Sequence, residues 1–149
     1  MIGLKFMKLG IISLAIGMLF GVIGGFQFLF PEFLKELLFT KTRALHVSMV
    51  VSWIFLVAIG GIYYYLPRYT VNKLYSTKLA TWHYWLFLLT GITVIASYLS
   101  GKFGGREYFA FPPILSIPIF ISWIFFGFNF FKSMSLNLKP WPVYYWQWA

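Results

Sequence analysis

The chain has 149 residues, of which 60% are hydrophobic, 23% aromatic and only 10% charged. A soluble protein of this composition would have too little polar surface to face water, so the composition indicates an all-α integral membrane protein. The chain has no cysteine, which excludes disulfides, thiolate-bound iron–sulfur clusters and covalently attached c-type haem. The basic residues behind the net charge of +9 are scattered near the ends of apolar segments, so we expect a lipid bilayer and no nucleic acid as partner.

Four apolar segments predict a bundle of four transmembrane helices in a single domain, residues 1–149. They cover residues 9–30, 44–66, 79–99 and 113–131, and each is long enough to cross about 30 Å of hydrocarbon at about 1.5 Å per residue. The first could also belong to a signal peptide, but it is too long and no cleavage site follows it. Between the first two segments we expect a short interfacial helix at Pro31–Phe39, and in the fourth a kink at Pro118.

Small residues follow a regular spacing in the first segment. Gly10, Gly17 and Gly24 recur every seven residues, and Gly21 and Gly25 add further small-xxx-small pairs. Such a stripe lets a neighbouring helix approach closely. We interpret these glycines as a packing surface.

The distribution of charge predicts the orientation in the membrane. One side carries seven basic and no acidic residues, and the other carries five basic residues and all three acids. The positive-inside rule then places the N- and C-termini in the cytoplasm. The aromatic tail Trp141–Trp148 matches an interfacial belt or the foot of a further helix.

His46 lies near the start of the second apolar segment. An imidazole inside hydrocarbon is costly and marks a functional site, and imidazole is an axial ligand of haem iron in many proteins. Arg43 lies three residues earlier on the same helical face, where it suits a haem propionate. We expect either haem ligation or a plain interhelical hydrogen bond, with Ser48 or a backbone carbonyl fixing the imidazole tautomer.

His83 is the other histidine, and it begins the third segment on the opposite side of the membrane. Helix rise separates the two histidines by about 20 Å along the membrane normal, so they cannot share one iron. Since Trp82, Tyr84 and Trp85 surround it in sequence, we expect His83 to be an interfacial hydrogen-bonding residue. A haem on His46 therefore needs its second axial ligand from another chain or from a second copy of this one.

The stretches Arg43–Ile54, Gly60–Arg68 and Gly104–Pro112 follow one another in an order typical of one family. The first two contain Arg-x-x-His and Tyr-Tyr-x-x-Pro-Arg, and the third contains Gly-Arg-Glu-Tyr. Together they resemble haem–copper oxidase subunit I, most closely the cbb3-type oxidases and nitric oxide reductases. The tail Trp141–Trp148 is similar to the lead into that family's fifth helix. The resemblance covers nearly the whole chain but only four of the family's twelve helices.

The resemblance implies roles for His46, Arg43 and Glu107. His46 matches an axial ligand of the low-spin haem b, and the arginine matching Arg43 would lie by its propionates, whose charge we expect Arg106 to compensate as well. Glu107 resembles a carboxylate that binds calcium in nitric oxide reductases. The family's remaining ligand histidines lie on later helices, so the chain alone is not expected to reduce oxygen or nitric oxide.

We therefore expect a haem b-binding subunit for electron transfer in a respiratory oxidoreductase complex, placed with other membrane subunits in a bacterial or archaeal cytoplasmic membrane. The alternatives are a cofactor-free accessory subunit and a homodimeric b-type cytochrome. Transport is disfavoured because all three acids map to one interface, which leaves no intramembrane carboxylate for an ion relay.

Overall fold

The computed structural model describes residues 1–69 and 74–135, with Val143 and Gln147 as isolated positions. These residues form four long helices, and no strand occurs among them. Each helix is long and apolar enough to cross a membrane. The predicted all-α fold with four transmembrane helices is confirmed. In chain order the helices are α1 (Ile2–Leu29), α2 (Phe39–Tyr69), α3 (Thr77–Leu99) and α4 (Ser116–Ser135), the last preceded by a 3-10 turn at Pro113–Leu115.

The helices extend beyond the apolar segments that predicted them. α1 begins at Ile2 and α2 at Phe39, several residues before the first apolar positions used for the prediction. Hydropathy marks the part of a helix that lies in hydrocarbon, whereas backbone hydrogen bonding continues into the interface. Pro118 lies in the first turn of α4, where a missing N–H removes no intrahelical hydrogen bond, so it does not have to bend the helix.

The connection between α1 and α2 consists of turns, and the short helix expected at Pro31–Phe39 is not formed. Leu34 has a φ of 50°, which interrupts right-handed helix. Turns closed by hydrogen bonds between residues three apart replace the helical bonding. In one of them Leu37 N–H donates to the Leu34 carbonyl at 2.9 Å. Gln27, which is 8% exposed, donates its amide to the Leu37 carbonyl and ties this connection to the end of α1. The aromatic tail Trp141–Trp148 lies almost entirely outside the described residues.

α1 and α2 form the most closely packed pair of helices. A Cβ built on Gly10 would lie 2.7 Å from a methyl group of Val57, and one on Gly3 would lie 2.5 Å from the carbonyl oxygen of Gly60. Gly17 and Gly24 also face α2. The predicted packing role is therefore confirmed for Gly10, Gly17 and Gly24, whereas Gly25 faces open space. Gly3 extends the stripe by one further seven-residue step.

α3 and α4 form a second pair, joined by a buried amide. The Asn129 side chain accepts a hydrogen bond from Ser76 N–H at 3.0 Å and donates one to the Ser76 carbonyl at 2.9 Å. The two pairs meet at the end of the bundle that carries His83, through a core of Phe6, Leu56, Ile59, Tyr63 and Ala80. They also meet at the end that carries His46, through a second core of Ala44, Leu45, Val94, Tyr98 and Phe111, and a cavity lies beside this core.

Candidate cofactor-ligand site

The His46 imidazole lies on α2, half-buried, and faces α1. Its Nδ1 atom is 2.7 Å from the carbonyl oxygen of Gly17. A carbonyl can only accept a hydrogen bond, so Nδ1 carries a proton, and in the neutral form of the ring the lone pair is on Nε2. Among the described residues Nε2 has no hydrogen-bond partner. This is the tautomer that a metal-ligating histidine requires.

Gly21 leaves the space that the imidazole occupies. A Cβ at this position would lie 2.8 Å from both Nδ1 and Cε1 of His46, a distance that real Cβ atoms essentially never reach. Gly21 is one helical turn beyond Gly17, so the carbonyl of Gly17 and the space left by Gly21 lie side by side on α1. The imidazole is thus held by its hydrogen bond to the Gly17 carbonyl and by the backbone of Gly21, which lies next to Nδ1 and Cε1.

A shallow groove of about 320 Å³ lies beside the imidazole and is open on one side. Arg43 lies at its edge, and a Cβ on Gly25 would meet nothing within 4 Å. The site thus combines an imidazole lone pair, an apolar wall and a guanidinium. These groups fit a haem, with its iron at His46 and a propionate at Arg43. The groove is lined by Phe20, Gly21, Gly24, Gly25, Phe28, Phe39, Arg43 and His46.

Arg43 also pairs with Glu107, from the connection between α3 and α4. The distance from Nη2 to Oε1 is 3.3 Å, and both side chains are more than half exposed. No cluster of three or more His, Cys, Asp or Glu side chains suited to a metal occurs in the part of the chain that is described. Calcium binding at Glu107 stays a prediction and would need ligands from elsewhere.

Arg106 lies away from the His46 groove. It lines a cavity between α2, α3 and α4, together with a shallow outer pocket whose opposite wall includes Arg43. The structure therefore brings His46 and Arg43 together in one groove, and it separates Arg106 from that groove by the outer pocket.

The carbonyl of Gly17 bonds to Nδ1 of His46 and so fixes its tautomer. A backbone carbonyl was one of the two options expected. Ser48, the other option, is hydrogen-bonded to the Tyr98 hydroxyl at 2.8 Å. Sequence reasoning did not identify Gly17 or Gly21 as part of the site. The signal was present in the glycine spacing, since a surface of small residues exposes backbone carbonyls to a neighbouring helix.

His83 lies in a different environment from the one expected. Its side chain is fully buried, with its Nδ1 atom 3.1 Å from the Tyr63 hydroxyl and its ring against Phe6, Phe87 and Phe126. The expected hydrogen-bonding role is present, but inside the bundle instead of at its surface. Tyr63 lies about 25 Å from His46 along α2, from the helical rise, so the two histidines are too far apart to share one iron.

The fold and the groove define a polytopic helical membrane protein with a half-buried histidine beside an open groove. The chain belongs to the family described as Cytochrome C and Quinol oxidase polypeptide I, whose model matches residues 1–149. It is also 30% identical over 136 residues to a nitric oxide reductase subunit from Stutzerimonas stutzeri, covering 81% of this chain and 29% of that protein. The chain thus spans less than a third of the length of this curated relative. The family consists of membrane subunits of respiratory enzymes, and its members bind haem.

Proposed function

We propose that His46 is one axial ligand of a low-spin b-type haem, and that the chain is an electron-transfer subunit of a respiratory oxidoreductase complex. One observation carries this proposal: the bond between Nδ1 and the Gly17 carbonyl, which leaves Nε2 unprotonated and unpartnered beside an apolar groove. Imidazoles that bind metals almost always donate their other N–H to a carbonyl, a carboxylate or water. A histidine that served only to join two helices would need no groove beside it.

The residues around His46 have separate tasks in this proposal. The haem supplies one-electron chemistry when bound. The Gly17 carbonyl makes the imidazole a stronger donor, which favours the oxidised iron. Gly21 fixes the plane of the ring, and Arg43 compensates the charge of a propionate. Because Arg106 does not line the groove, we assign the propionate contact to Arg43.

The second axial ligand in this proposal comes from outside residues 1–149. His83 is too far away, and the groove is open on one side. A later membrane segment or another membrane subunit supplies the ligand, and a second copy of this chain is the alternative. Reduction of oxygen or nitric oxide would require that partner.

The test is a visible difference spectrum of the complex, dithionite-reduced minus oxidised. The chain is purified from its native membranes in mild detergent as wild type and as His46→Ala. We expect a b-type band in the wild type and its loss in His46→Ala. His83→Phe is the matched control, because it removes the other histidine from a cage of aromatic rings and should leave the band unchanged.

Two results would contradict the proposal. A band that survives in His46→Ala assigns the haem to other residues. A wild-type complex without any band supports a cofactor-free accessory subunit. Loss of the band in His46→Ala, with the partner chains still co-purifying, separates loss of a ligand from loss of assembly.

A further inference from the structure

A cavity of about 440 Å³ lies between the two helix pairs at the His46 end of the bundle. Three helices line it over the same depth: Ser48 to Phe55 on α2, Phe87 to Val94 on α3, and Ser116 to Trp123 on α4. Two helical turns correspond to a depth of about 10 Å, or about a third of the hydrocarbon layer. The cavity is therefore a slot that runs along the helices into the membrane.

The interior of the slot is mainly apolar, with three serines in its lining. Its floor is formed by Phe55, Phe87 and Trp123, with the rings of Phe55 and Trp123 in edge-to-face contact at 5.4 Å between centroids. Gly91 lines one wall, and a Cβ at this position would meet nothing within 4 Å. No acidic side chain lines the slot.

The mouth of the slot carries one unpaired positive charge. Arg106 lines it beside Tyr108, and no acidic partner of Arg106 occurs among the described residues. The neighbouring carboxylate, Glu107, is paired with Arg43 at 3.3 Å. A guanidinium at the edge of a hydrocarbon layer is stabilised by an anion, and its planar fork matches the oxygens of a phosphate.

We propose that this slot binds an anionic phospholipid, with its headgroup phosphate on Arg106 and one acyl chain between α2, α3 and α4. A charge at the mouth and an elongated apolar interior match a molecule with one charged end and a hydrocarbon tail. The volume lies within the range of about 300–1,000 Å³ typical of small-molecule sites. A lipid here fills the space that the side chains of α2, α3 and α4 leave open. The proposal is independent of the haem, because His46 lines no part of the slot.

The test measures lipid retained by the complex, purified from native membranes and washed extensively in detergent. Bound lipids are extracted and quantified per chain by mass spectrometry. Arg106→Gln removes the headgroup partner, and Gly91→Leu fills the slot without meeting backbone. The matched controls are Lys102→Gln, in the same connection but outside the slot, and Gly127→Leu, at another open helical position.

We expect the wild type and both controls to retain an anionic phospholipid. Since Arg106→Gln removes a charge-assisted hydrogen bond to the phosphate, this variant should retain at least roughly tenfold less phospholipid than the wild type. Gly91→Leu should lose it although Arg106 is intact. Equal retention in all five proteins would overturn the proposal. So would a quinone or a free fatty acid in place of phospholipid, or no slot-dependent lipid at all. The haem band read from the same samples reports separately on the His46 site.

Discussion

At the scale of single residues, the ligand site depends on atoms that belong to glycine backbones. Gly17 contributes a carbonyl that a larger residue would also possess, but only a glycine-lined surface brings that carbonyl within 2.7 Å of an imidazole on the next helix. Gly21 has no side chain and therefore leaves room for the imidazole. The orientation of the imidazole is thus determined by α1, although His46 belongs to α2.

Gly21→Val should remove the haem without unfolding the chain. The new side chain would begin 2.8 Å from the imidazole, so the ring must rotate away from the groove and break its bond to Gly17. We expect the haem content per chain, measured as the pyridine haemochrome, to fall roughly tenfold, the equivalent of about 1.4 kcal/mol of lost ligand geometry.

Gly61→Val is the control for this substitution. It makes the same change on α2, where a Cβ would meet nothing within 4 Å, and it should leave the haem content and helical circular dichroism unchanged. Equal haem content in both variants would show that the imidazole orientation does not depend on Gly21.

At the scale of helices, the chain consists of two pairs held together by different means. α1 and α2 interlock through the glycine stripe, whereas α3 and α4 are joined by polar side chains near Ser76. In a membrane, close backbone contact and interhelical hydrogen bonds are the two main ways in which helices associate, because surrounding lipid is as apolar as the side chains.

The spacing of α1 and α2 can be measured with a disulfide, since the chain has no cysteine of its own. A Cβ on Gly10 would lie 3.3 Å from the Cβ of Leu56, close to the separation of about 3.5–4.5 Å found in disulfides. Gly10→Cys and Leu56→Cys, combined with Val57→Ala to remove the methyl group 2.7 Å from the new Cβ, should therefore cross-link nearly completely under mild oxidation. The readout is loss of maleimide labelling. Leu56→Cys combined with Gly25→Cys should remain fully labelled, and labelling of both pairs alike would contradict this helix packing.

The second pair should be sensitive to Asn129→Leu. This substitution leaves the Ser76 N–H and carbonyl without their amide partners inside the bundle, and an unsatisfied buried group costs about 1–3 kcal/mol. We expect a lower thermal midpoint in detergent. Thr93→Val serves as the control, because its exposed hydroxyl bonds only to its own helix, and it should change stability by less than about 0.5 kcal/mol. A midpoint unchanged by Asn129→Leu would mean that water replaces the amide.

The accuracy of the sequence predictions differed between helices and site. Four long apolar segments predicted the helices well, since hydrophobic length directly reflects membrane thickness. They could not predict that α1 starts at Ile2, or that Leu34 turns the backbone between α1 and α2, because those features lie outside the hydrocarbon. His46 and Arg43 were identified because polar groups are rare in such helices. The positions of Arg106 and His83 depend on how helices pack, which one-dimensional periodicity does not determine.

At the scale of the whole molecule, the groove at His46 is walled on one side and open on the other. The chain spans 29% of the nitric oxide reductase polypeptide to which it is similar, and its groove opens outward. The proposed haem would therefore contact residues outside the described part of the chain. If the other ligand comes from a different subunit, haem and this chain should be equimolar in the purified complex. If two copies share one haem, the ratio of haem to chain should be half of that. Quantitative amino-acid analysis beside the haemochrome distinguishes the two assemblies.

The division into two helix pairs also affects the order in which the protein is assembled during synthesis. Gly17, Gly21, Arg43 and His46 all belong to α1 and α2, so every part of the groove that this chain supplies has been synthesised once α2 leaves the ribosome. The slot, by contrast, needs Trp123 and therefore the last helix described. During translation the imidazole of His46 could therefore bind a haem while α3 and α4 are still being synthesised. A lipid could be enclosed in the slot only after both helix pairs have entered the membrane.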